Sequence, residues 1–104
     1  MYAPSGWLTL TGMVAHFRAD FSIYQPKALD DLKYWKKSGQ KQIQARILTL
    51  LQSIQETRYQ GIGKPEPLKY NQAGMWSRRI SYEHRLIYEI KDDEVHIYSL
   101  RDHY

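Results

Sequence analysis

Apolar positions along this chain recur with two different spacings, and the change falls near its middle. Between Pro26 and Lys37 the apolar residues Ala28, Leu29, Leu32 and Trp35 follow a helical period. Pro26 suits the first turn of that helix, and Ser38-Gly39 breaks it. Ile43, Ile47, Leu50, Leu51 and Ile54 then mark one face of a second helix, with Gln40, Lys41, Gln44 and Gln52 mostly on the other. Two short helices joined by so tight a turn predict an antiparallel helical hairpin.

Past Gly61 and Gly63 the period drops to two. The run Lys64-Pro65-Glu66-Pro67 excludes helix, and each proline is expected to hold its predecessor extended. Asn71-Gln72-Ala73-Gly74 reads as a turn. Three strand-like runs follow, 75–80, 83–90 and 94–101, with Lys91-Asp92-Asp93 as a tight hairpin between the last two. In the middle run Leu86, Tyr88 and Ile90 share one face, which the helices can cover; Arg85, Ile87 and Glu89 point to the opposite, open side. A short alternating run over 18–24 (Phe21 and Ile23 against Asp20 and Ser22) predicts one more strand before the helices. The class is α+β.

A chain of 104 residues bounds this to a single domain, placed at 18–104. Residues 1–17 hold no Asp, Glu, Lys or Arg and are read as an N-terminal extension, flexible or loosely packed, with Met13 as an alternative start. They lack the basic beginning of a signal peptide and the ~20 apolar residues of a membrane span. The absence of cysteine excludes disulfides and thiolate metal sites and fits a cytoplasmic protein. The four histidines show no metal-ligand spacing, and no glycine-rich phosphate loop precedes a helix, so no cofactor is expected.

The net charge of +4 changes the picture through its distribution. Between Lys64 and Arg85 stand Lys64, Lys69, Arg78, Arg79 and Arg85 against only Glu66 and Glu83, which favours a polyanionic partner over a merely solvated basic surface. Within that stretch and at the chain's end lie a carboxylate, a guanidinium, an imidazole and a phenol. RNA cleavage by the neighbouring 2′-hydroxyl needs a base, a cation for the phosphorane and an acid for the leaving oxygen. Glu and His titrate near enough to neutrality for the proton transfers, and Arg donates to two phosphate oxygens at once. Each group also has a plain structural alternative. Glu66 can be a loop carboxylate beside Lys64 or Lys69, and Arg85 can pair across the sheet with Glu83 or Glu89. His103 and Tyr104 can be a frayed terminus. His84 and His96 fall in strand patterns and are read as structural; His16 lies in the extension.

The motifs settle the balance. Lys-Pro-Glu-Pro-Leu-Lys at 64–69, Trp76-Ser-Arg-Arg-Ile, Glu83-His-Arg-Leu-Ile-Tyr and the terminal Arg101-Asp-His-Tyr, together with Tyr34-Trp35, resemble in order the YoeB branch of the RelE-type bacterial toxins. The resemblance runs from about Phe21 to Tyr104. It implies a RelE-like fold: a small twisted antiparallel sheet with the N-terminal helical hairpin packed on one face. It implies a ribosome-dependent mRNA endoribonuclease, or mRNA interferase, that works without a metal ion in the ribosomal A site and belongs to a type II toxin–antitoxin pair. Its partners would be a YefM-like antitoxin, the ribosome with its mRNA, and in some assemblies a second copy of the chain. By that pattern Glu66 is general base, His103 general acid, Arg85 the phosphate ligand and Tyr104 a group orienting base or phosphate. Lys69, Arg78 and Arg79 match basic, RNA-binding positions, and the last strand is expected to bring His103 and Tyr104 onto the Arg85 face near Glu66. The rival from another class is a non-catalytic basic module that binds RNA or protein and acts as co-repressor with its antitoxin.

Overall fold

The computed structural model describes residues 22–103. The expected extension at 1–17, the first part of the expected first strand, and Tyr104 lie outside them. Within this range the elements are β1 (Ser22–Tyr24), α1 (Pro26–Ser38), α2 (Lys41–Glu56), β2 (Glu66–Pro67), a 3₁₀ turn (Tyr70–Gln72), β3 (Trp76–Arg79), β4 (His84–Lys91) and β5 (Glu94–His103). Pro26 opens α1, and Gly39 closes it in the left-handed conformation (φ 72°) that a residue without a Cβ adopts at no steric cost.

The strands form one sheet in the order β1-β5-β4-β3-β2. Strands β2 to β5 are antiparallel, as expected; β1 adds to the far side of β5 in parallel, so the sheet is mixed. The two-residue turn at Asp92-Asp93, both at positive φ (52° and 64°), joins β4 to β5 with Lys91 opposite Glu94. Both helices lie on one face of the sheet. Their apolar stripes meet Leu86 and Tyr88 of β4 and Val95, Ile97 and Leu100 of β5 in a single core with Ala28, Trp35, Ile47, Leu50 and Ile54. Burying such side chains contributes roughly 1.5–3 kcal/mol each.

Helix α1 is fastened to β5 by polar contacts as well. Trp35 Nε1 donates to the Leu100 carbonyl (2.8 Å), and the buried Asp31 carboxylate accepts from the Leu100 amide (2.9 Å), from Ser99 Oγ and from Lys27 Nζ. That capture has a cause in the ladder. The register between β4 and β5 shifts between Arg85 and Ile87 and again between Ile87 and Tyr88, leaving β5 with more residues than β4 across that span. A bulge takes a backbone amide out of the ladder, and Asp31 satisfies the one at Leu100.

Candidate functional site

Strand parity decides which basic and acidic side chains meet. In the register Glu66↔Ser77↔Ile87 and Arg79↔Arg85↔Asp102, paired residues point the same way, and residues two apart along a strand share a face. Glu66, Arg79, Arg85 and Asp102 therefore all lie on the sheet side away from the helices. The prolines around Glu66 do not leave it in a loop: Glu66 and Pro67 form the edge strand β2, exposed and paired with Ser77 and Trp76. An edge is where a strand tolerates proline. Lys64 departs from its extended expectation and is left-handed (φ 50°), because the chain turns there while the Arg79 amide donates to the Gly63 carbonyl (2.6 Å).

Arg85 is partly buried, and its Nε donates to Asp102 Oδ2 at 2.6 Å across the ladder. A charge-assisted bond of this kind fixes the plane of a guanidinium. Neither Glu83 nor Glu89 supplies it; Glu89 instead accepts from Tyr98 Oη (2.8 Å), a bond that, with burial, raises the Tyr98 pKa. Glu66 stands two strands across and two residues along from Arg85, about 12 Å between backbones by strand spacing alone. Lys69, two residues past the end of β2, is exposed.

Two expectations fail on parity. Arg78 was expected on the basic face beside Arg79, but neighbours in a strand point to opposite sides. Arg78 faces the helices and is fully buried. Its guanidinium donates to Ser53 Oγ and to the carbonyls of Thr57, Arg58, Gln60 and Ile62, with Nε on Tyr88 Oη. It ties the loop after α2 to the sheet and has nothing left for RNA. Burial raises the Tyr88 pKa, with Arg78 pulling partly the other way, so the phenol stays protonated and donates to the Arg58 carbonyl at 2.6 Å.

His103 is the second. It pairs with His84, one step beyond the Arg85–Asp102 pair, and so turns to the opposite face. Its exposed ring lies 4.5 Å from the His84 ring, which in turn packs edge-on against Trp35 at 5.2 Å. The last strand thus brings Asp102, not His103, onto the Arg85 face. Asp102 was missed in the sequence; its signal was its place one residue before His103, opposite Arg85 once the two strands pair.

The chain that carries these residues is similar to known proteins. A family model described as the YoeB-like toxin of bacterial type II toxin–antitoxin systems matches residues 24–104. This chain belongs to that YoeB family. Toxin YoeB of Escherichia coli K12 is 44% identical over 82 residues, which are 79% of this chain and 96% of that one. Among solved structures, YoeB of Staphylococcus aureus, seen as a dimer and in a heterotetrameric complex with YefM, superposes with a TM-score of 0.73 at 42% identity, covering 80% of this chain and 95% of that one. A YoeB/ParE toxin from Agrobacterium tumefaciens gives 0.75 at 33% identity, covering 80% and 98%. The YoeB match thus extends across both helices and strands β2 to β5, which position Glu66 and Arg85.

Proposed function

We propose that this chain is the toxin of a type II toxin–antitoxin pair and acts as an mRNA endoribonuclease on the ribosome. The observation that carries the reading is the sheet face away from the helices, where Asp102 aims Arg85 in a ladder with Arg79 and Glu66 stands across from them. Arg85 holds the scissile phosphate. Glu66 takes the proton of the 2′-hydroxyl; the 2′-oxygen attacks phosphorus and the bond to the 5′-oxygen breaks. His103 gives that oxygen its proton, leaving a 2′,3′-cyclic phosphate, and Tyr104 orients the adjoining nucleotide. These protein groups perform the proton transfers without a metal ion. To serve as acid, His103 leaves its stack on His84 and the last residue of β5 unpairs and turns over, because a Cβ on the helix side does not reach the Arg85 face by side-chain rotation alone. Lys69 and Arg79 bind flanking phosphates; Arg78, wholly engaged inside, takes no part. The ribosomal A site presents the mRNA, because so few groups on this face do little to orient a substrate by themselves. The reaction takes place in the cytoplasm, where translation occurs.

The partner is a YefM-like antitoxin, as in the S. aureus complex, and a second copy of the chain is a natural assembly partner, as in the S. aureus dimer. An acidic antitoxin segment that covers Arg85 would block the site.

The test is a translation reaction with and without the purified protein, with mRNA ends mapped. Cleavage on ribosomes, poor cutting of free RNA, and loss of cutting when the 2′-hydroxyl at the site is replaced by hydrogen are the expected results. Continued cutting of the deoxy substrate would sink the mechanism. The rest position of His103 off the Arg85 face favours one second reading, a non-catalytic binding module acting as co-repressor. Growth of a host expressing Glu66→Gln or Arg85→Ala separates the two: the nuclease reading expects these variants to be harmless and the intact protein toxic, whereas equal expression of all three supports the module.

A further inference from the structure

Two tyrosines gain almost nothing from the fold. Tyr82 is 93% exposed and Tyr70 is 90% exposed. Single exposed aromatics are ordinary on protein surfaces, but these two are held by the backbone. Tyr82 sits at the tip of the β3–β4 turn, where Ser81 Oγ accepts from the amides of Glu83 (3.3 Å) and His84 (3.2 Å), and the amides of Ile80 and Ser81 both donate to the His84 carbonyl. The last ladder pair below that turn is Arg79 with Arg85. Tyr70 opens the 3₁₀ turn directly after Lys69 and β2, with φ at 61°, a left-handed conformation that a bulky residue rarely adopts. Its carbonyl accepts from the Ala73 amide (3.0 Å), which holds the turn. Because β2 and β3 are antiparallel, the two turns stand beyond opposite ends of the face that carries Glu66, Arg79 and Arg85.

We infer that Tyr70 and Tyr82 are stacking contacts for two bases of a single RNA strand laid across this face, one on each side of the cut. The inference rests on the nuclease reading above and adds to it the residues that fix the strand. Aromatic rings beside cations along an open basic track are how single-stranded RNA is held, because every base has a π-face to stack. A ring on a fixed turn loses little freedom on binding, so more of the stacking appears as affinity.

Stacking of this kind is worth a factor of roughly five to a hundred in affinity per base. Tyr70→Ala and Tyr82→Ala should each raise the KM for ribosome-bound mRNA by that order, with kcat little changed and the melting temperature held, since neither ring is buried. Tyr→Phe at either position should restore KM. A single abasic nucleotide, scanned along the mRNA, should reproduce each loss in the intact protein at one position and cost nothing more in the matching alanine variant. Unchanged KM in either alanine variant overturns the two-point contact. So does a loss that phenylalanine fails to restore, or abasic penalties that are the same with and without the ring. Weakened antitoxin binding with cleavage untouched would assign the tyrosines to a protein interface and also overturn it. A parallel arm measures retention of an uncleavable 2′-deoxy mRNA. If intact protein binds it through both rings yet never cuts the ribo form, the nuclease reading fails while the stacking contact stands.

Discussion

At the scale of single residues, Arg78 and Arg79 illustrate how adjacent cations in one strand acquire opposite fates. Alternation sends Arg79 to the open face and Arg78 into the protein, where six acceptors surround its guanidinium. This was legible in the sequence, since the same period-two rule that placed Arg85 away from the helices forbids both arginines from sharing one face. What composition could not supply was the ring of carbonyls that makes a buried cation tolerable. Lysine keeps the charge but offers three donors from a point instead of five in a plane. Arg78→Lys is therefore expected to destabilise the fold by about 3 kcal/mol, since it strands buried carbonyls. In a domain of this size that lowers the melting temperature by more than about 10 °C. Calorimetry checks it, and a melting temperature within a few degrees of the parent would show that the loop does not depend on the guanidinium. Asp31 is the acidic counterpart: Asp31→Ala removes the acceptor for the bulged Leu100 amide and should cost about 1–3 kcal/mol.

Among the elements, the two helices and the β3–β5 strands were written plainly in the hydrophobic pattern, because each buries one face against the same core. Three features were not. Strand β1 was expected as a strand, but nothing in its described residues, Ser22–Tyr24, names β5 as its neighbour or parallel as its sense. Strand β2 was masked by its prolines. The bulges of β5 arise from competition between the ladder and Asp31 and leave no local mark. The segment between α2 and β2 shows the same dependence on tertiary context. Gly61 (φ 114°) and Gly63 (φ 82°) were expected to end the helical half; α2 in fact ends at Glu56, and the glycines serve the close passage over Arg78. A Cβ on Gly61 would stand 2.5 Å from Ser53 Oγ, the same hydroxyl that Arg78 engages, and one on Gly63 would stand 2.7 Å from Leu50 Cδ2. Gly61→Ala thus combines left-handed strain, about 1–2 kcal/mol, with a forced shift of the Arg78 network. It should destabilise the protein by 2 kcal/mol or more, by about as much in Arg78→Lys as it does alone only if the two do not share that network. A double-mutant cycle that is additive within ~0.5 kcal/mol would refute the coupling.

For the molecule as a whole, the end of the sheet is where fold and proposed chemistry diverge, and deletion of His103 and Tyr104 separates them. His103 is the last described residue of β5, and among the described residues it contributes one ladder pair and one ring contact, both with His84. An aromatic pair of this sort is worth about 0.5–1.5 kcal/mol, so the shortened chain should melt within several degrees of the parent. Asp102 remains opposite Arg85, and the guanidinium keeps its orientation. If His103 is the acid, cleavage on ribosomes should nonetheless fall by at least ~10²-fold, the ordinary scale for a lost proton donor. His84→Ala is the control that makes the result decisive. It removes the same ring contact, and the His84–Trp35 contact besides, while leaving the imidazole of His103 in place, so a fall caused by lost stability alone would be at least as large in His84→Ala. A large fall in the truncated protein with near-parental rates in His84→Ala assigns the chemistry to the terminal residues. Equal falls in the two would mean that the stack itself supports activity, and near-parental rates in both would remove His103 from the mechanism and leave Glu66 and Arg85 to be explained without it.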